Sequence, residues 1–166
     1  GIGTELTEKA VLLIREFGNL FDISYTQAGY DAYKKTGSSL PEETIKKCRQ
    51  SNAILFGAVT TPPHIKGYTS PIVTLRKTLN HYANIRPFFS LPIRNSMKKI
   101  DFIIVRENTE DLYGGVERKI PGGFVAERVI TKTACMNIIK KAFDLARKRK
   151  KKVTVVHKAN VLRLTD

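Results

Sequence analysis

Hydrophobic positions along the chain change period several times, and each change marks an element. Leu6, Ala10, Leu13, Ile14 and Phe17 recur at helical spacing, so a helix follows the opening Gly1-Ile2-Gly3-Thr4-Glu5. Phe21, Ile23 and Tyr25 alternate, which predicts a strand over 21–28. Asp31 to Lys35 reads as a short polar helix or turn, stopped by Gly37. Ser39-Leu40-Pro41-Glu42 has the form of a capping box with proline at the first helical position; the helix it opens carries Ile45 and Cys48 inward. Ala53 to Ala58 is an apolar strand that runs into the loop Val59-Thr60-Thr61-Pro62-Pro63.

Pro71 starts a further helix containing Ile72, Val73, Leu75, Arg76 and Leu79. His81 to Pro87 is strand-like, because the residue before a proline is held extended. Phe102-Ile103-Ile104-Val105 is short, partly β-branched and reads as a buried strand. Val116 to Ile120, Pro121-Gly122-Gly123 and Phe124 to Thr131 form the pattern of a β-hairpin. Thr131 or Thr133 then caps a helix whose inward face is Cys135, Ile138, Ile139, Ala142 and Ala146. Val153 to Val156 is a second buried strand, so strand, helix and strand across 102–156 suggest a parallel pair and an α/β class.

The 166 residues suffice for one domain or two small ones with a real core. No run of apolar residues is long enough to span a membrane, and no charged-then-apolar leader is visible. The first residue is glycine and the chain stops at what reads as a helix start, so the expectation is a sequence cut at both ends. The two cysteines, Cys48 and Cys135, lie far apart in helix-like patterns. Free thiols and a reducing cytoplasm fit them better than a disulfide or a metal site. Net charge is +14, from 29 basic and 15 acidic residues, with the extreme run at Arg147-Lys148-Arg149-Lys150-Lys151-Lys152. That run is either a nucleic-acid patch or a solvated helix end, where cations suit the helix dipole. No aromatic residues interleave with it and no zinc-finger or RNA-recognition motif appears, which favours the helix end.

Chemistry enters at Arg106-Glu107-Asn108-Thr109-Glu110-Asp111-Leu112-Tyr113, just past the Phe102–Val105 strand. Open α/β sheets place ligands at the ends of their strands. An arginine fork can hold a carboxylate, and a tyrosine can transfer a proton. The bland alternative is that Arg106 merely pairs with Glu107 or Glu110. Arg76, Arg86 and Arg106 all fall at element ends, so they could converge on a small anion with two or three carboxylates; three unrelated surface arginines are the alternative. Lys158 stands just past the Val153–Val156 strand, where a lysine can serve as acid or base. His64 reads as an ordinary loop histidine, and His157 is as readily a packed residue as a chemical one. The glycines ahead of the first helix suit either a phosphate-facing turn or a plain one.

Taken in order, several segments resemble one family, the β-decarboxylating dehydrogenases acting on isocitrate, 3-isopropylmalate and homoisocitrate. They are Gly1–Glu5, Thr69-Ser70-Pro71-Ile72-Val73-Thr74-Leu75-Arg76, Tyr82-Ala83-Asn84-Ile85-Arg86-Pro87, Arg106 through Tyr113, and His157-Lys158-Ala159-Asn160-Val161-Leu162. The likeness runs over the whole chain and is nearest to archaeal-type members. It implies the isopropylmalate dehydrogenase-like fold: two α/β domains with a cleft between them and an interlocking β-hairpin arm. Residues 1–81 would be the N-terminal part of the first, cofactor-side domain. Residues 82–166 would be most of the second, with the dimerisation arm at about 114–131. The chain would cover about the first half of such an enzyme.

The resemblance also implies a reaction. NAD or NADP oxidises the hydroxyl carbon of a 3-substituted malate, and Mg2+ or Mn2+ polarises the new carbonyl so that carbon dioxide can leave. Ser70, Arg76, Arg86 and Arg106 would hold the substrate. Tyr113 would protonate the enolate, and Lys158, contributed across a homodimer interface, would act as base at the hydroxyl. Thr60 and Asn160 would contact the cofactor. The metal-binding aspartates of the family would lie beyond the end of this sequence, so no turnover is expected from the chain alone. Phe56 stands where isocitrate-type relatives often carry lysine. Ser70 resembles the serine that meets the extra carboxylate of isocitrate, whereas Ile72 resembles the residue that meets an isopropyl group, and Val73 stands where some homoisocitrate enzymes place arginine. Isocitrate or homoisocitrate is favoured, with 3-isopropylmalate the alternative. A non-catalytic partner subunit and a basic nucleic-acid-binding module are the readings from other classes.

Overall fold

In a computed structural model, which describes every residue except Gly1 and Asn19, the chain divides into two compact units, Gly1–Leu79 and Asn80–Asp166. Gly1 of the opening motif therefore lies outside the described residues.

The first unit is built from four helices: α1 (Ile2–Arg15), α2 (Tyr30–Thr36), α3 (Glu42–Gln50) and α4 (Pro71–Thr78). Its core is Leu40, Ile45, Cys48 and Leu75, with Ala28, Ile54, Phe56 and Leu79 packed against it. Helix α1 buries Gly3 and Val11. The predicted stripe turns out differently, since Leu6, Leu13 and Phe17 are exposed. The glycines explain the rotation: a Cβ at Gly3 would collide with the Ala58 carbonyl, and one at Gly57 with Thr7, so α1 approaches the 53–58 segment by its smallest residues.

Helix α2 ends as predicted at Gly37, whose φ of 75° is the left-handed cap that glycine adopts without strain. The capping box before α3 does not form. Pro41 itself is the cap residue, and the Ser39 hydroxyl donates instead to the Thr69 carbonyl at 2.7 Å, tying the approach to α3 to the approach to α4. Among the described residues, the expected strands at 21–28 and 53–58 have no ladder partners. In the first of them side chains do the work of a neighbouring strand: Thr44 donates to the Gln27 carbonyl at 2.7 Å and Lys47 to the Tyr25 carbonyl at 3.3 Å.

The second unit begins with β1 (Ala83–Phe89) and β2 (Asp101–Glu107), an antiparallel pair in the register Asn84↔Arg106, Arg86↔Ile104 and Phe88↔Phe102. A 3-10 turn, η1 (Leu112–Gly114), follows, then the hairpin β3 (Glu117–Ile120) and β4 (Gly123–Ala126). Helix α5 (Lys132–Arg147) packs on β2 and is capped by Thr131, whose hydroxyl accepts from the Ala134 amide. The hairpin and the cap match the sequence pattern.

The parallel pair does not. Strand β2 is half exposed rather than buried, its partner is β1, and 153–156 is an extended segment with Val155 and Val156 open to solvent. Among the described residues no ladder partner is offered to it, and a strand exists only through its neighbours' hydrogen bonds. The basic run closes α5 as a helix end. Arg147 pairs with Asp144, while Arg149 and Lys150 both pair with Asp101.

Candidate active site

Successive side chains of a strand point to opposite faces, so the β1–β2 register puts Asn84, Arg86, Ile104 and Arg106 on one face. Arg86 and Arg106 are diagonal neighbours there, close enough for two long side chains to meet one ligand. The Asn84 side-chain oxygen accepts from Arg86 Nε at 3.1 Å and holds that guanidinium along the strand. Arg106 lies over the ring of Tyr113, 5.4 Å from its centroid. Both arginines and the tyrosine are solvent-accessible, as a binding surface requires.

The carboxylates that could have neutralised Arg106 are engaged elsewhere. Glu107 accepts from the Thr109 amide at 2.9 Å, from the Thr109 hydroxyl and from the Glu110 amide at 2.9 Å, folding the loop onto itself. Glu110 accepts from the Thr131 amide at 2.8 Å and hydroxyl at 2.6 Å, which anchors the loop to the cap of α5. Asp111 is held by Arg128 through two hydrogen bonds, 2.8 and 3.3 Å long. Among the described residues no carboxylate lies within ion-pair distance of Arg76, Arg86 or Arg106. The bland pairing of Arg106 with Glu107 or Glu110 is therefore not what the chain does.

Asn108, almost fully buried, fastens the loop to the start of β1. Its side-chain nitrogen donates to the carbonyls of His81 at 3.1 Å and Tyr82 at 2.8 Å, and its amide donates to Tyr82 at 3.0 Å. Tyr113 then sits in η1, which Asp111 opens and Gly115 closes.

Lys158 and Asn160 share another turn of the same unit. The Lys158 carbonyl accepts from the Val161 and Leu162 amides, both at 2.9 Å, and the Lys158 amide donates to the Asp166 carboxylate. Both side chains are exposed. In the first unit, Ser70 precedes α4 and Arg76 follows the buried Leu75, half-exposed itself. The Ser70 hydroxyl does not cap the helix. Thr60 is exposed in its loop, its carbonyl accepting from the Tyr68 hydroxyl at 3.4 Å. Of the predicted residues, Arg86 and Arg106 share a strand face and Arg106 meets Tyr113; Lys158 and Asn160 share a turn; Ser70 and Arg76 share only the neighbourhood of α4, and Thr60 stands in its own loop.

The same segments decide the affiliation of the chain. The family model described as isocitrate/isopropylmalate dehydrogenase matches residues 1–166. The chain belongs to the isocitrate/isopropylmalate dehydrogenase family. It is 45% identical over 180 residues to a homoisocitrate dehydrogenase of Methanocaldococcus jannaschii, a match covering 100% of this chain and 52% of the relative. A 3-isopropylmalate/3-methylmalate dehydrogenase of the same organism is 46% identical over 175 residues, covering 100% and 50%. In structure the chain is similar to isocitrate dehydrogenase from Methylococcus capsulatus, with a TM-score of 0.90 and 38% identity over 99% of this chain and 50% of that one. The chain spans about half the length of the curated relatives it matches.

Thr60 in the first unit and Asn160 in the second are each exposed side chains of a kind able to bond an amide or a ribose. A divalent ion is different, because among the described residues no three His, Cys, Asp or Glu side chains gather to hold one. Sequence reasoning gave no role to Asp111, Arg128 or Asp166. Arg128 pairs with residues 17 positions earlier and 38 later, and no local pattern announces such a contact.

Proposed function

We propose that the natural full-length protein carrying this chain catalyses NAD(P)-dependent oxidative decarboxylation of a 3-substituted malate, with isocitrate or homoisocitrate preferred. The carrying observation is the pair of unneutralised guanidiniums, Arg86 and Arg106, on one strand face with the Tyr113 ring against the second. Exposed guanidiniums that no carboxylate of the chain neutralises are open to the carboxylates of a ligand, and arginine binds them in a fork. Ser70, just before α4, and Arg76 within it are the residues of the first unit that the family resemblance assigns to the substrate. Tyr113 delivers the proton to the carbon that has lost carbon dioxide, and Lys158 draws the proton from the substrate hydroxyl. The bound nicotinamide supplies the hydride acceptor, with Thr60 and Asn160 orienting it. A homodimer, joined through the hairpin arm, brings Lys158 to the partner's site.

Ile72 supports a second reading, 3-isopropylmalate as substrate, since an apolar residue at the start of α4 suits an alkyl group. The two are separated by assaying the full-length protein with Mg2+, NAD and NADP against isocitrate, homoisocitrate and 3-isopropylmalate. The expected result is a higher kcat/KM for a tricarboxylate. Greater efficiency with 3-isopropylmalate selects the second reading, and a folded protein inert toward all three overturns both.

A further inference from the structure

Arg128 occupies the junction of two turns that are far apart in sequence. Its Nε and Nη2 grip the Asp111 carboxylate at 2.8 and 3.3 Å, and its Nη1 reaches Asp166 at 2.7 Å. Asp111 opens η1 with a φ of 61°, a left-handed conformation that a residue with a Cβ adopts only when its surroundings hold it there. The Asp111 amide donates to the Val129 carbonyl at 2.9 Å, and its carbonyl accepts from Gly114 at 3.1 Å. Tyr113 lies inside the turn so fixed. On the other side, the second oxygen of Asp166 accepts the Lys158 amide.

The cluster is sheltered: the Arg128, Asp111 and Asp166 side chains are 29%, 33% and 12% exposed, against 56% and 76% for the surface pair Lys34–Asp31. Exposed pairs hold geometry weakly; the two-bond grip of Arg128 on Asp111 holds it better, and Asp166 adds a single charge-assisted contact.

We propose that Arg128 is a positioning residue for both proton-transfer groups: one guanidinium sets the Tyr113 turn through Asp111 and the Lys158 turn through Asp166. The inference rests on the functional reading above. Under that reading Tyr113 serves its own site and Lys158 the partner's, so Arg128 ties together a donor and a base that act in different sites. The two arms are separable, because Asp111 touches only the first turn and Asp166 only the second.

The test uses the full-length protein with Mg2+ and its best malate, and two readouts. Exchange of the carbon-3 hydrogens of the 2-oxo acid product in deuterated water, followed by NMR, reports proton transfer at Tyr113 without hydride transfer. The pre-steady-state burst of reduced cofactor reports the step that needs Lys158. Arg128→Gln is expected to slow both by about tenfold or more at nearly unchanged KM, since small misplacements of reacting groups cost rate. Arg128→Lys should recover only part, a single ammonium being unable to grip two carboxylates as a fork does. Asp111→Asn should slow exchange more than the burst, and Asp166→Asn the burst more than exchange. Equal losses in both aspartate variants, or Arg128→Gln at parental rates, overturn the inference alone. A parent inert toward every malate overturns the functional reading and this inference with it.

Discussion

The guanidinium of Arg106 stacks on the face of Tyr113, 5.4 Å from the ring centroid. The contact involves the ring and not the hydroxyl, so under the proposed function the tyrosine would have two separable duties, steadying a substrate-binding arginine and carrying a transferable proton. Tyr113→Phe keeps the ring and removes only the proton. Substrate affinity should stay near the parental value, while the protonation step falls by about 10²- to 10⁴-fold, the usual worth of a positioned acid. Isothermal titration against the malate and single-turnover product analysis measure the two separately. A large loss of affinity would show that the hydroxyl binds substrate instead.

Arg86 and Arg106 are diagonal neighbours on the β1–β2 face, and among the described residues no carboxylate pairs with either. Hydrogen bonds to charged groups contribute about 1.5–3 kcal/mol each, so removing either guanidinium should lower kcat/KM by roughly 10- to 100-fold. Arg106→Met and Arg86→Met should do so without lowering the thermal midpoint, because neither arginine neutralises a protein charge. A stability loss matching the activity loss would instead assign these residues to the fold.

What the sequence made legible were contacts local along the chain. The spacing of Ile45 and Cys48 named the inward face of α3, Gly37 the stop after α2, and Thr131 was one of the two threonines offered as the cap of α5. What it hid were contacts whose partner is distant or unexpected. Ser39 looked like a cap until Thr69 claimed its hydroxyl, 30 residues away. Val11 replaced the predicted face of α1 because Gly3 and Gly57 let two backbones meet. Segment 153–156 has the composition of a strand, but pairing depends on a neighbour that composition does not name. For the site, the motif marked Arg106 and Tyr113, whereas Arg128 sits in the hairpin region that reads as a surface arm.

Asp101 ends the β1–β2 loop between Lys150 and Arg149, and their hydrogen bonds hold its carboxyl below the ordinary carboxylate range. A carboxylate whose pKa is depressed on folding stabilises above its unfolded value, and that stability is lost as pH falls through the folded one. Asp101→Asn should therefore lower the denaturation midpoint slightly at neutral pH. The difference from the parent should shrink as the pH drops below the usual range for aspartate. It should also shrink with added salt, because the Asp101, Lys150 and Arg149 side chains are 50%, 65% and 34% exposed. A difference that grows on acidification would contradict this account of the basic helix end.

Ser70 stands at the residue before α4, where a serine hydroxyl ordinarily accepts from an amide of the first turn, yet here it makes no such bond. Pro71 at the first helical position is buried and begins the helix without that help. Under the proposed function the hydroxyl is available to a ligand, and the ligand group that separates isocitrate and homoisocitrate from 3-isopropylmalate is a carboxylate. Ser70→Ala removes a cap that is not in use, so the thermal midpoint should hold. If Ser70 meets that carboxylate, kcat/KM should fall by about 10-fold for the tricarboxylates and stay level for 3-isopropylmalate, a loss of one hydrogen bond to a charged group. The decisive quantity is the ratio of the two efficiencies: equal losses for both substrate types would remove Ser70 from the specificity pocket and leave Ile72 to set the choice.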